Sequence, residues 1–170
     1  MRVAILGNSG SGKSTLAKKL SADSSFPSLD LDTIYWEPDN LGTIQWNPDK
    51  IGGPRMPSDR EAALRRFCSS HDYWIIEGCY ADLIEASFPW RPELILLHPG
   101  CAVCLQNCRT RPHEAHKYRT KQEQDQNLDF LLQWVSDYYE RDGPMSLRGH
   151  LELFERYDGS KRIVTDLNKA

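Results

Sequence analysis

Short apolar runs recur along the chain and are separated by longer stretches in which apolar residues return every three or four positions. The short runs have the length of buried strands, and the longer stretches have the period of amphipathic helices. The predicted strands cover about residues 2–6, 28–31, 73–77, 93–98 and 161–165. Strands that alternate with helices predict an α/β fold, with one parallel sheet that carries helices on both faces.

Three of the predicted helices have clear sequence signals. Ser58-Asp59-Arg60-Glu61 has the pattern of a capping box and precedes apolar positions that share one helical face, among them Leu64 and Cys68. Residues 127–141 carry the longest apolar stripe, and residues 147–157 carry a shorter one. These helices fall between predicted strands, as the α/β pattern requires.

The first predicted strand runs into the sequence Gly-Asn-Ser-Gly-Ser-Gly-Lys-Ser-Thr at residues 7–15. A G-x-x-x-x-G-K-S pattern between a strand and a helix is that of a phosphate-binding loop. Glycines let successive N–H groups point at phosphate oxygens, and the helix N-terminus adds partial positive charge. Lys13 is predicted to reach the β- and γ-phosphates, and Ser14 to bind Mg²⁺. The predicted nucleotide contacts are Gly7, Asn8, Ser9, Gly10, Ser11, Gly12, Lys13, Ser14 and Thr15.

Two aspartates close the second predicted strand. Asp30 and Asp32 are two positions apart, so alternation along the strand would direct both carboxylates to the ligand crevice at the carboxyl end of the sheet. We expect Asp30 to act on Mg²⁺ and Asp32 to orient or deprotonate the hydroxyl of an acceptor. The alternative is a pair of turn acids at the end of a strand.

A further acid ends the third predicted strand. Glu77, followed by Gly78, is a candidate for the metal or for the acceptor, and the alternative is an exposed strand-end acid. The aromatic residues Trp36, Trp46 and Tyr80 are candidates for the wall of an acceptor pocket. Packing in the core is the alternative for all three.

Two segments interrupt the alternation of strands and helices. Residues 37–57 are rich in proline and glycine and are long for a loop, which indicates an acceptor-side insertion. Residues 109–121 contain Arg109, Arg111, Lys117, Arg119 and Lys121 against the single acid Glu114. Because arginine suits phosphate oxygens, this segment predicts a lid over the phosphates, with a solvated charged surface as the alternative.

Composition narrows the class of protein. The 170 residues suit a single domain, and the 39% hydrophobic content is ordinary for a soluble protein. The apolar runs are too short for a membrane span, and we expect a cytoplasmic protein. The net charge of −3 and the pI of about 5.9 give no overall attraction to nucleic acid.

The five cysteines do not predict disulfides, because their number is odd and a phosphate loop indicates the reducing cytosol. Cys101, Cys104 and Cys108 have the spacing of one helical face, which predicts packing as small hydrophobic residues. The alternative is a metal site completed by His113 or His116, but the set matches no complete zinc pattern.

With these motifs the chain resembles the adenylate-kinase-like branch of P-loop kinases, which includes adenylate, cytidylate, gluconate and shikimate kinases. Within that group it is most similar to small bacterial proteins labelled AAA-family ATPases, shikimate-kinase-like proteins or DNA topology modulation proteins. The likeness rests on the phosphate loop and on residues 29–36, 74–80 and 111–118. It implies a P-loop fold of three layers, with a five-stranded parallel sheet in the order 2-3-1-4-5.

The resemblance also implies roles by position. Asp30 and Asp32 look like the metal-side and acceptor-side acids of shikimate-type kinases, and Arg109 and Arg111 look like lid arginines. Glu77 and the glycine after it look like the Asp-Gly that ends the third strand of adenylate kinases. Shikimate kinases have a glycine run there, so the extra carboxylate argues against an anionic acceptor such as shikimate. Adenylate kinases carry an arginine shortly afterwards, which is missing here, so a nucleotide-monophosphate site is also in question.

We therefore expect Mg²⁺–ATP-dependent phosphoryl transfer to a small molecule, either a nucleoside or nucleotide or a sugar-like hydroxyl compound. The expected catalytic residues are Lys13, Asp32, Arg109 and Arg111. The expected acceptor contacts are Asp32, Trp36, Glu77, Gly78 and Tyr80. The alternative is a nucleotide-binding regulatory ATPase, including a protein of the DNA-topology-modulation type, although the acidic pI opposes DNA binding.

Overall fold

A parallel sheet forms the centre of the computed structural model, which describes residues 1–37, 53–115 and 117–167. The strands are β1 (Arg2–Gly7), β2 (Ser28–Asp30), β3 (Trp74–Gly78), β4 (Glu93–Leu97) and β5 (Lys161–Val164). They lie side by side in the order β2-β3-β1-β4-β5, and every neighbouring pair is parallel. The predicted fold class and strand order are confirmed. Most of the predicted insertion, with Trp46, and also His116 lie outside the described residues.

Eight helices occupy the described connections. They are α1 (Lys13–Ser24), α2 (Asp32–Tyr35), α3 (Pro57–Ser70), α4 (Ala81–Ala86), α5 (Cys101–Arg109), α6 (Lys121–Gln126), α7 (Leu128–Asp137) and α8 (Leu147–Arg156). A short 3-10 turn follows α4 at Phe88–Trp90. None of the helices in these ranges is long and apolar enough to cross a membrane.

The two faces of the sheet carry separate hydrophobic layers, because successive side chains of a strand point in opposite directions. Ala4 and Leu6 of β1 face a layer that α3, α4 and α8 cover. Val3 and Ile5, one position removed, face a second layer that α1 covers. Each strand of the centre is therefore buried on both sides, which explains its almost continuous apolar sequence.

The register of the strands places three strand ends at one edge of the sheet. Asp30 pairs with Glu77 across β2 and β3, and Leu6 pairs with Gly78 across β3 and β1. The phosphate loop leaves β1 at this same edge, since Gly7 is the last residue of that strand. The parallel pairing of the strands is therefore sufficient to bring the phosphate loop next to Asp30 and Glu77.

The start of α3 differs from its prediction. The helix begins at Pro57 with Met56 as its N-cap, and no side chain caps it, so the predicted capping box at Ser58 is wrong. Proline is favoured in the first helical position because it lacks the N–H that would remain unpaired there. The helix predicted at 127–141 is also shorter, since α7 ends at Asp137.

The cysteine face of α5 packs as its spacing predicts. Cys104 and Cys108 are buried against Val135 of α7, whereas Cys101 is half-buried. Burial raises the pKa of the Cys104 thiol to about 11, so this side chain stays uncharged and packs as a small hydrophobic group. This packing joins α5 and α7 above the phosphate loop.

The packing of Leu31 supports the backbone of the site, and truncation of this side chain tests that packing. It is fully buried between the two aspartates, and its Cβ lies 2.9 Å from the position that a Cβ on Gly78 would occupy. We expect Leu31→Ala to lower the free energy of unfolding by about 2–5 kcal/mol in urea titrations. Val103→Ala, at a position that is 46% exposed, should change it by less than about 0.5 kcal/mol. A loss no larger than that of the control would contradict the packing described here.

Candidate active site

The phosphate loop adopts a conformation that requires glycine at two positions. Gly10 and Gly12 have φ angles of 76° and 94°, in the left-handed region. A Cβ on Gly10 would lie 2.2 Å from the carbonyl oxygen of Cys104, and one on Gly12 would lie 2.1 Å from Cδ1 of Leu167. The side chain of Asn107 donates to the Gly10 carbonyl at 2.8 Å. The loop is therefore held between α5 and the segment after β5.

Polar side chains inside the loop are arranged around its interior. Lys13 Nζ donates to the carbonyl oxygen of Asn8 at 2.9 Å, so its stem lies across the loop. Asn8 in turn donates to the Val135 carbonyl at 2.9 Å, and its Oδ1 accepts from the N–H of Ser9 at 2.8 Å. In the described part of the chain, the buried hydroxyl of Ser11 has no hydrogen-bond partner. This cradle of N–H groups, with a lysine and an unpaired hydroxyl, fits a phosphate group.

Ser14 and Glu77 form the first polar contact between the loop and the acids. Ser14 Oγ donates to Glu77 Oε1 at 2.6 Å, and Glu77 is 4% exposed. Asp30 lies beside Glu77 as its register partner on the neighbouring strand. Hydroxyl and carboxylate oxygens are the ligands that Mg²⁺ prefers, so these three residues fit the metal of a Mg²⁺–nucleotide. Glu77, a candidate for the metal or for the acceptor, therefore lies beside the phosphate loop.

Asp32 does not continue the strand, so the predicted strand alternation is wrong at this position. β2 ends at Asp30, and Asp32 is the first residue of the short helix α2. The N–H of Asp32 donates to Oδ1 of Asp30 at 2.9 Å, which turns the chain directly after the strand. The two carboxylates nevertheless line the same cavity.

Lys117 contacts the acids of the cavity, and the sequence did not predict these contacts. Its Nζ donates to Oδ2 of Asp32 at 2.6 Å and lies 3.6 Å from Oδ2 of Asp30 and 3.6 Å from Oε1 of Glu114. The side chain of Lys117 is only 14% exposed. No local sequence signal connects position 117 with positions 30 and 32, because only the tertiary fold brings them together.

These contacts set the charges of the site. Burial alone would raise the pKa of Asp32, but the Lys117 ammonium and the hydrogen bond from Tyr80 outweigh it and lower that pKa to about 2. Burial and the neighbouring Asp32 raise the pKa of Asp30 to about 6. Burial would lower the pKa of Lys117, yet the surrounding carboxylates raise it well above its ordinary value. At neutral pH Asp32 and Lys117 are therefore both charged.

Aromatic side chains hold Asp32 from the opposite side. Trp36 Nε1 donates to the Tyr80 hydroxyl at 2.8 Å, and this hydroxyl donates to Oδ1 of Asp32 at 2.6 Å. Tyr35 stacks on Tyr80 with a centroid distance of 4.0 Å. Trp36 and Gly78 line the cavity as predicted, but Tyr80 is fully buried behind Asp32. Tyr80 therefore positions the carboxylate and does not itself form the wall.

The two predicted lid arginines have different environments. Arg111 lines the cavity and donates to Oε2 of Glu114 at 2.9 Å. Arg109, at the end of α5, is exposed and does not line this cavity. The segment between α5 and α6 is anchored by Gln124, whose side chain accepts from the Glu114 N–H at 2.8 Å and donates to the Pro112 carbonyl at 3.1 Å.

The loop, the acids and the segment 111–118 enclose one cavity of about 1070 Å³. A pocket for a single ligand of drug size measures roughly 300–1,000 Å³, so this cavity has room for a nucleotide and a second small molecule. Lys13 and Ser14 of the phosphate loop line this cavity together with Asp32 and Trp36. The geometry thus provides an anion cradle and a cluster of carboxylates in the same cavity.

The fold is that of the P-loop kinases. A gluconokinase from Sinorhizobium meliloti 1021 superposes with a TM-score of 0.53 at 15% identity, covering 96% of this chain and 81% of that one. A shikimate kinase from Bacteroides thetaiotaomicron superposes with a TM-score of 0.51 at 19% identity, covering 81% of this chain and 78% of that one. No protein-family model matches the sequence, and no curated protein matches it either. These similarities concern the fold, and the chemistry of the chain has to be argued from its own residues.

The ion pair of Lys117 and Asp32 predicts a characteristic pH dependence. The Asp32 contribution to stability is present above its unfolded pKa of 3.8 and is lost as the pH falls through about 2. Lys117 contributes below its ordinary pKa of 10.5, since its folded pKa is raised. We therefore expect Lys117→Met to lower the free energy of unfolding by about 3 kcal/mol at pH 7, with a loss that shrinks as the pH is lowered from 4 toward 2.

The matched control for this variant is Lys121→Met. Lys121 forms an ion pair with Asp125 on the surface of α6, where both side chains are about half exposed. Its removal should cost less than about 1 kcal/mol. Urea titrations of both variants across this pH range measure the difference. Equal losses in the two variants at pH 7 would show that Lys117 contributes no more than a surface ion pair.

Proposed function

We propose that this chain is a Mg²⁺–ATP-dependent phosphotransferase that acts on a hydroxyl group of a small molecule. One observation carries the proposal: a complete phosphate loop and the ionised carboxylate of Asp32 line the same cavity. The similar structures are P-loop kinases, which supports phosphoryl transfer as the general reaction. A nucleoside or nucleotide and a sugar-like compound remain the proposed classes of acceptor.

The residues of the loop would bind the nucleotide. The N–H groups around Gly10 and Gly12 and the ammonium of Lys13 would hold the phosphates, and Ser14, Glu77 and Asp30 would hold Mg²⁺. The metal, when bound, would neutralise charge that spreads over the transferred phosphoryl group. Lys13 can leave its contact with the Asn8 carbonyl because that contact is to an uncharged group.

Asp32 would orient the acceptor. A carboxylate with a pKa of about 2 is a weak base, so its main contribution is to hold the attacking hydroxyl in line and to accept its proton late in the reaction. Its two oxygens already accept from Tyr80 and Lys117. Each carboxylate oxygen can accept a second hydrogen bond, so an acceptor hydroxyl can join these partners.

The segment 109–121 would act as the lid. Arg111 would reach the transferred phosphoryl group after leaving Glu114, and a planar guanidinium suits that group. Arg109 stays a proposed lid residue that would have to turn in from the surface. The segment 37–57 would cover the acceptor side, so the chain would form a single domain with two functional insertions.

A nucleotide-binding regulator is the second candidate, and one observation favours it. Lys117 ties the segment 111–118 to Asp30 and Asp32 of the cavity, which is how a segment that reports nucleotide binding could be held. The comparisons lend no support to a protein of the AAA or DNA-topology-modulation type. A broad screen for acceptor-stimulated release of ADP separates the two candidates, since tight ATP binding without any acceptor supports the regulator.

Lys13→Ala should abolish nucleotide binding without unfolding the protein. The side chain is partly exposed and supplies the positive charge of the loop, so its removal affects the phosphates and not the core. We expect Mg²⁺–ATP affinity to fall by at least about 100-fold in calorimetric titrations. Lys19→Ala, on the exposed side of α1, is the matched control and should bind normally. Unchanged affinity in Lys13→Ala would show that the loop does not bind the phosphates of the nucleotide as proposed.

Asp32→Asn should separate binding from transfer. The amide keeps the shape and the hydrogen bond from Tyr80, but it loses the charge that holds the acceptor proton. With an acceptor found in the screen, we expect kcat to fall by about 100- to 10,000-fold while Mg²⁺–ATP affinity changes little. Asp129→Asn removes the same charge from the exposed first turn of α7 and should leave turnover intact. Normal turnover in Asp32→Asn would exclude this residue from the mechanism.

A further inference from the structure

Glu114 lies between two positively charged side chains of the segment 111–118. Its Oε2 accepts from NH1 of Arg111 at 2.9 Å, and its Oε1 lies 3.6 Å from Nζ of Lys117. All three side chains are mostly buried. A carboxylate that is buried to this degree is strongly destabilised when it loses a cation, so any movement of Arg111 depends on what Lys117 does.

The backbone fixes Glu114 and places Lys117 between two carboxylates. The Glu114 N–H donates to the side chain of Gln124 at 2.8 Å, and the Glu114 carbonyl accepts from the Lys117 N–H at 2.8 Å. Nζ of Lys117 donates to Oδ2 of Asp32 at 2.6 Å. Nζ would have to approach Glu114 by less than about 1 Å to reach the length of a hydrogen bond. The Lys117 ammonium can therefore balance Glu114 as well as Asp32 without any change in the backbone.

Arg111 lies close to the phosphate loop while Glu114 holds it. Its NH2 lies 3.8 Å from Sγ of Cys108, and that sulfur lies 2.8 Å from the position that a Cβ on Gly10 would occupy. Arg111 and Gly10 also line the same cavity. The Glu114 carboxylate neutralises the guanidinium at this position, so the charge of Arg111 becomes available to a phosphoryl group only when Glu114 releases it.

We propose that Lys117 is a positioning residue that releases Arg111 to the transferred phosphoryl group by replacing it as the counter-ion of Glu114. This inference rests on the proposed phosphotransferase function and adds Lys117 and Glu114 to its machinery. Because Lys117 lies between Asp32 and Glu114, neither carboxylate loses its cation when Arg111 turns to the phosphate. Without Lys117, Glu114 would hold Arg111 more tightly and keep it from the reaction.

The first experiment measures the sharing of Glu114 in the absence of nucleotide and acceptor. A double-mutant cycle of Arg111→Met and Glu114→Gln, followed by urea titration, gives the coupling energy between these two side chains. We expect this coupling to be at least about twofold larger in the Lys117→Met background than in the parent protein, because Glu114 then has one cation fewer. Coupling that is no larger without Lys117 would overturn the proposal.

The matched control is Arg148→Met. Arg148 is also shared between two acids, since it lies 2.6 Å from Asp142 and 3.7 Å from Glu152. It is exposed, however, and does not line the cavity. Its removal should leave the coupling between Arg111 and Glu114 unchanged. A change as large as that caused by Lys117→Met would show that the effect is not specific to the cavity and would also overturn the proposal.

A second background covers the case in which Lys117→Met is too unstable to titrate. Asp32→Asn removes the charge that needs Lys117 most directly, so the combination with Lys117→Met leaves Asp32 without an unbalanced charge. The same cycle is then measured in Asp32→Asn and in Asp32→Asn with Lys117→Met. The expected difference is again at least about twofold, with the larger coupling in the background that lacks Lys117.

The second experiment measures turnover with an acceptor found in the screen. We expect Lys117→Met to lower kcat at least about tenfold and to change Mg²⁺–ATP affinity by less than about threefold, since Arg111 acts on the group in transfer. Adding Glu114→Gln to Lys117→Met releases Arg111 and should raise kcat at least about threefold again. Adding Arg111→Met should abolish this recovery. Circular dichroism confirms that each variant is folded under the assay conditions.

The outcomes separate the two proposals. If no compound in the screen stimulates the release of ADP, the phosphotransferase function is contradicted, and the release of Arg111 has no reaction to serve. Transfer in the parent protein, without any recovery of kcat on adding Glu114→Gln to Lys117→Met, would retain the phosphotransferase function and overturn the role of Lys117 alone. A purely structural role of Lys117 predicts that result, because removal of a second side chain does not repair a damaged structure.

Discussion

Burying several carboxylates at one edge of a parallel sheet is unfavourable unless a cation accompanies them, and Lys117 is the cation that makes this site stable. Its ammonium contacts Asp32 directly and lies within 3.6 Å of Asp30 and Glu114. Without it, the closely spaced acids of the cavity would repel each other in a poorly solvated space. The same contact holds the segment after α5 against the cavity. One interaction therefore determines both the charges of the site and the position of this segment.

The sheet supplies the other half of this arrangement. Parallel pairing sets Asp30 beside Glu77 and Leu6 beside Gly78, which puts the phosphate loop and the acids at one edge. Leu31 fills the space that a side chain at position 78 would need, so glycine fits there. The packing that supports the turn between the two aspartates is therefore the packing that keeps Asp32 at the cavity. Truncation of Leu31 would therefore displace Asp32 by moving the backbone, and it would not change any charge of the site.

Local signals predicted what depends on local physics. The phosphate loop and the cysteine face of α5 follow from spacing and periodicity, whereas the strand order was implied by the resemblance to P-loop kinases. The structure has all three. The strand alternation expected for Asp32 is wrong because the chain turns immediately after Asp30, and an Asp side chain readily stabilises such a turn. Lys117 could not be assigned from the sequence, since a charged residue in a basic segment gives no indication of which distant acids it meets.

The P-loop fold by itself does not identify the acceptor, because the fold determines only the part of the cavity that would bind phosphate. Discrimination between acceptors would have to come from the other residues of the cavity, where Asp32 and Glu114 add negative charge and Tyr80 is buried behind Asp32. A lysine that neutralises these carboxylates has two physical consequences. It keeps Asp32 ionised, and it must share or leave that carboxylate when the hydrogen-bond donors of a ligand arrive. Under the proposed function, a ligand that binds to Asp32 would therefore also change the position of the chain around Lys117, and the same coupling would serve a kinase or a nucleotide-binding regulator.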